Sequence, residues 1–135
     1  MPEIIFSLAA ALLAAGLAWL ANGLILPAAG NRGIALLTPL VEETVKTLTA
    51  VILETSILWT HVFFGLLEAL VEIIRRGVAG LAPGCAALAA HSLFGLLTVW
   101  IYGQFGLVPS LALAYLAHAA WNGVVVAVNR NKPGS

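Results

Sequence analysis

The sequence predicts an all-α fold, a polytopic transmembrane helical bundle of about five spans, and three observations carry that prediction. Hydrophobic residues fill 61% of the 135 positions and charged residues only 9%, against about 25% charged in an average soluble domain. Mean hydropathy is +1.04. The apolar runs are each near the roughly 20 residues that a helix needs to cross a bilayer, and clusters of Gly, Pro and Asn separate them. The expectation is a single transmembrane domain over residues 1–135, without space for a soluble one. Six Lys plus Arg balance six Glu, and no block of like charge invites nucleic acid or an acidic soluble partner.

The first helix is expected over 3–26, with Trp19 and Asn22 as its amphipathic and polar side chains. Glu3 stands where a secretory signal carries basic residues, and the apolar run exceeds the usual 7–15 residues of a signal core, so it reads as a span. Pro27, Gly30, Asn31 and Gly33 are expected to break it. The second helix, 34–53, carries Glu42-Glu43-Thr44-Val45-Lys46, and Pro39 lies in its first turns, where a missing N–H is best tolerated. The third, 58–74, has Trp59 and His61 near its start as interface anchors and ends on Arg75-Arg76. Pro83 opens the fourth, 83–102, which contains His91. Gly103-Gln104-Phe105-Gly106 is expected as a turn, and the fifth helix, 107–128, holds His118 and Asn122. Residues 129–134 form a polar tail. Cys85, the one cysteine, cannot form an intrachain disulfide and reads as a small core residue.

Basic residues orient this arrangement. Arg32, Arg75, Arg76, Arg130 and Lys132 fall at one end of the five predicted helices, and no Lys or Arg falls at the other. The positive-inside rule then places the C-terminus in the cytoplasm and the N-terminus outside.

Position converts to depth at about 1.5 Å per residue. Counted from the basic face, Glu42 and Glu43 lie roughly 12–14 Å deep, Glu68 and Asn122 about 10 Å, His91 about 12 Å and His118 about 16 Å. Isolated polar groups from four helices therefore share one slab. An ionised group at bilayer depth costs about 2.5–3.5 kcal/mol on insertion scales and marks function or pairing. Lys46 is one turn from either carboxylate, and His118 and Asn122 share a face. Glu42 and Glu43 are about 100° apart around the helix, so only one faces a given centre squarely. Glu72 reads as an interfacial carboxylate paired with the adjacent arginines. Glu54 and His61 lie at the opposite end and are expected to have no catalytic role.

The ordered set Glu42-Glu43-x-x-Lys46, Phe64-x-x-x-Glu68, His91 and His118-x-x-x-Asn122 resembles the PrsW family of intramembrane proteases. That family belongs to a superfamily with the CAAX prenyl endopeptidases and the APH subunit of gamma-secretase. The likeness spans residues from about 40 to 124. It implies peptide-bond hydrolysis within a multi-pass protein of a prokaryotic cell membrane, acting on a membrane-anchored protein or peptide, in that family an anti-sigma factor. The CAAX enzymes carry EExxxR and a His where Glu68 stands, so prenylated substrates are not implied here.

Two mechanisms are compatible with these residues. In a glutamic protease, Glu42 or Glu43 activates water with Glu68 and His91, Lys46 supports the carboxylate, and His118 and Asn122 donate to the oxyanion. In a zinc enzyme, His91, His118 and Glu68 are the candidate ligands and the fourth position holds water. A non-catalytic scaffold or a proton or ion carrier is the alternative class.

Overall fold

The computed structural model describes residues 2–130, with side chains described for 2–128. Its regular elements are all helical: α1 (Pro2–Arg32), α2 (Thr38–Ile52), α3 (Ile57–Arg76), α4 (Leu81–Phe105) and α5 (Leu107–Arg130). Lys132 and most of the expected polar tail lie outside the described residues. Three continuous helical stretches, Pro2–Ile52, Ile57–Phe105 and Leu107–Val128, are long and apolar enough to cross a membrane.

The helix boundaries correct the sequence-based expectation. The expected five separate helices are joined into three hydrogen-bonded stretches, because the chain turns through a π-helical segment at Gly33–Leu37 and a 3₁₀ segment at Gly77–Gly80. Pro27 does not end α1, since losing one N–H donor does not by itself turn the chain. The break falls at Gly30, whose φ of 52° and ψ of −136° lie outside the helical region. Likewise α4 continues through Gly103 and Gln104 to Phe105, and the turn falls at Gly106, with φ 81°. A helical glycine only weakens a helix, whereas a positive φ terminates it. The fourth helix begins at Leu81 rather than Pro83, so the proline sits in the first turn, where no intrahelical partner is lost.

Consecutive helices run antiparallel. Ser7 Oγ meets Thr55 Oγ1 at 2.8 Å at one end of the α1–α2 pair, and Asn22 Nδ2 donates to Glu42 Oε1 over 3.4 Å toward the other. Along α3–α4, Gly84 faces Ala69, Gly65 faces His91 and Gly95 faces His61. Ser56 starts α3 by accepting from the Trp59 N–H at 3.3 Å, an ordinary serine N-cap.

Polarity is distributed inside out. Leu, Ile, Val and Trp side chains cover the surface, while the largest fully buried side chains include Lys46, His61, Glu43, Thr47, Thr60 and Thr98. An aqueous fold has the opposite preference. The packed apolar cluster is small and built on alanines: Ala11, Ala14 and Ala18 of α1 against Phe64 of α3. Small residues let helices approach closely. Cys85, expected in the core, is exposed, because Gly84 is the residue of that turn that meets α3.

Candidate functional site

Glu43 and Lys46 sit at the centre of the bundle, one turn apart on α2. Lys46 Nζ donates to Glu43 Oε1 at 2.6 Å, and the two side chains are 0% and 1% exposed. A charge buried this deeply requires a partner and further hydrogen bonds. The same Oε1 accepts from His118 Nδ1 of α5 at 2.7 Å, and Lys46 lies 4.8 Å above the Phe64 ring centroid.

These contacts fix the tautomers. A carboxylate only accepts, so His118 donates from Nδ1, and in the neutral imidazole Nε2 is then the acceptor. That nitrogen faces Glu42 Oε2 across 3.9 Å. In that tautomer both atoms are acceptors, and the gap has room for a donor or an ion that would serve both. Phe94 stacks on the His118 ring, with centroids 4.8 Å apart at 24°, which holds the imidazole plane.

The Lys46 ammonium only donates, so His91 Nδ1, 2.9 Å from Nζ, accepts. The proton of His91 is then on Nε2, which donates to Glu68 Oε2 at 2.6 Å. A continuous chain results: Glu68, His91, Lys46, Glu43, His118. It joins three helices of the expected motif to the fifth. Glu68 is its exposed end, with 46% of the side chain accessible.

The structure brings Glu42, Glu43, Lys46, Glu68, His91 and His118 together. Asn122 is placed apart: its Nδ2 donates to Ile34 O at 3.0 Å, tying α5 to the π-helical turn before α2. Glu72 pairs with Arg76 at 3.0 Å, as its position near the arginines suggests.

His61 overturns its expected interfacial place. It is fully buried, with Nδ1 3.7 Å from Glu43 Oε2 and Nε2 3.4 Å from Thr47 Oγ1. Its position near the start of α3 suggests the opposite end from the cluster, but Gly95 of α4 leaves space there for its ring. A signal was present: His61 and Glu68 are seven apart and thus share a helix face. Asn22, which holds Glu42 from α1, stood alone as the polar group of its run and was legible only as that.

Ligand atoms of Glu42, His91 and His118 lie within 4.8 Å of one another. These are zinc-type donors, and the Glu43–His118 contact is the carboxylate support that metal-bound histidines commonly have. Glu42 and His118 have an atom ready; His91 would first release Lys46 or Glu68. The glutamate in this group is Glu42, whereas the sequence suggested Glu68, which instead serves His91.

An open cavity of about 390 Å³ lies between α1 and α3, lined by apolar side chains including Trp19, Leu26, Leu67 and Val71, with Glu42 and Glu68 in its wall. A second, of about 220 Å³, lies among α3, α4 and α5. No family model, curated protein or solved structure matched the chain.

Proposed function

We propose that this protein is an intramembrane endopeptidase of the PrsW type, which hydrolyses a peptide bond in a membrane-anchored substrate. In this reading α1 to α5 each cross the bilayer, the N-terminus is outside, and the end carrying Arg75 and Arg76 is cytoplasmic. One observation carries it: Glu42 Oε2 and His118 Nε2 face each other across 3.9 Å beside a cavity large enough for a peptide segment.

A water molecule held between those two acceptors would give its proton to one of them as its oxygen attacks the carbonyl carbon, a general-base step. Glu43 takes no proton. It holds His118 in the required tautomer and balances Lys46. The proton received from water passes to the leaving amine. The groove between α1 and α3 seats the substrate segment, its apolar wall continuing to Glu42. Asn122, tied to Ile34, acts here as a brace and not as an oxyanion donor.

The gathering of Glu42, His91 and His118 favours a second reading of the same reaction. Those three would hold zinc, which supplies a water acidic enough to ionise near neutral pH.

The test is cleavage of a tethered reporter by purified protein in lipid. Glu42→Gln and His118→Ala should each lower the rate by at least about a hundredfold, as loss of general-base catalysis does. Retained activity in both folded variants overturns the proposal. Zinc at one equivalent, lost in His91→Ala, selects the metal reading; activity undiminished by chelation with no bound zinc selects the glutamic one.

A further inference from the structure

We propose that the cavity among α3, α4 and α5 is a water port to the buried cluster, separate from the groove between α1 and α3. The inference rests on the hydrolytic reading for its purpose, but its geometry stands alone. The cavity holds about 220 Å³ and is lined by Glu68, Glu72, Arg76 and Asn122 with Pro83, Ala86, Ala87, Trp121 and Val125. At about 30 Å³ per molecule it takes several waters, and its four polar side chains supply the partners that ordered water needs.

Its position suits delivery. Arg76 and Pro83 place its mouth where α3 ends and α4 begins. Its inner wall is one turn from both histidines, since Ala87 precedes His91 by four residues and Asn122 follows His118 by four. Glu68 and Glu72 line this cavity and the α1–α3 groove alike, so the two spaces meet at a carboxylate partition. Glu68 is the group of that partition that reaches the cluster, through His91 Nε2 at 2.6 Å. Glu68 is therefore a positioning residue at the boundary between water and substrate. A buried hydrolytic centre needs such a division, because an apolar segment filling the α1–α3 groove would otherwise shut water out.

Thiol reactivity in a bilayer tests this without reference to activity. Cys85 is exposed on α4, lies nearer the helix end than Ala87 and does not line the cavity. With Cys85→Ala as background, single cysteines at Ala87 and Val125 report the cavity, and Ala89→Cys reports the outer face of α4 just beyond Ala87. The probe is a charged, membrane-impermeant methanethiosulfonate applied to protein in lipid nanodiscs. Ala87→Cys and Val125→Cys should react at least tenfold faster than Ala89→Cys and than the native Cys85. Reaction at Ala87 and Val125 no faster than at those two exposed positions outside the cavity overturns the port. Ala87→Trp, which fills the cavity, should lower kcat about tenfold with KM unchanged; an unchanged kcat also overturns it. Fast labelling in a parent protein that cuts no substrate upholds the port and overturns the hydrolase reading instead.

Discussion

Glu43 Oε1 lies 2.7 Å from His118 Nδ1, a contact between residues 75 positions apart that decides which carboxylate of the pair is free to react. Glu43 is occupied on one oxygen by Lys46 and His118 and has His61 near the other. Glu42, with 13% of its side chain exposed, faces the groove. Glu43→Ala should therefore act chiefly on stability, because it strands the Lys46 ammonium. The expected loss is about 3–5 kcal/mol, typical of breaking a buried ion pair from one side. Unfolding in detergent measures it, and adding Lys46→Met should recover a large part. Additive losses in the double variant would contradict the pairing.

The same contact makes a spectroscopic prediction. Nitrogen NMR of the histidine side chains should find His118 protonated on Nδ1 and His91 on Nε2, since a carboxylate accepts and an ammonium donates. In Glu43→Gln the His118 preference should weaken, because an amide can either donate or accept. The opposite tautomers in the parent protein would undo the assigned hydrogen-bond chain.

His61 is the sharpest test of a residue that sequence reasoning set aside. His61→Phe keeps an aromatic ring beside Gly95 while removing the nitrogens near Glu43 and Thr47. Outer partners of metal-bound histidines contribute about 10–100-fold, and loss of His61, one remove further out beside Glu43, should slow cleavage at the low end of that range with KM little changed. An unaltered rate would make His61 a packing residue only.

The meeting of Glu42, Glu43, Glu68, His91 and His118 was legible because depth along a helix is fixed by a constant rise, and polar groups stranded in apolar runs have few places to go. Depth says nothing about rotation, which is why the place of His61 beside Glu43 was missed and why Glu42, not Glu68, stands with His91 and His118. Rotation depends on where the opposite helix has a glycine, as Gly95 is for His61. The orientation of Asn122 was equally hidden: its acceptor, Ile34 O, is presented by a π-helical turn that no residue pattern announces. The helix ends at Gly30 and Gly106 were misplaced by a few residues because turn-forming residues cluster there and only one of each cluster takes a positive φ.

The α3–α4 contact yields paired predictions of opposite sign. A Cβ on Gly95 would stand 2.7 Å from His61 Cβ, and one on Gly65 would stand 2.9 Å from His91 Cβ and 3.1 Å from Leu88 Cα. These neighbours are close to or part of the backbone and cannot swing aside, so the helices must separate. Overpacking costs about 1–3 kcal/mol, and Gly95→Ala and Gly65→Ala should lose that much while also displacing His61 and His91 respectively. Gly16 and Gly103 have nothing within 4 Å of the added carbon and lie inside α1 and α4. There an alanine should stabilise by about 0.5–1 kcal/mol, the usual gain on replacing a helical glycine. Detergent unfolding of the four variants measures both signs. If all four shifted alike, the close approach of α3 and α4 that brings His61 and His91 to α2 would not hold.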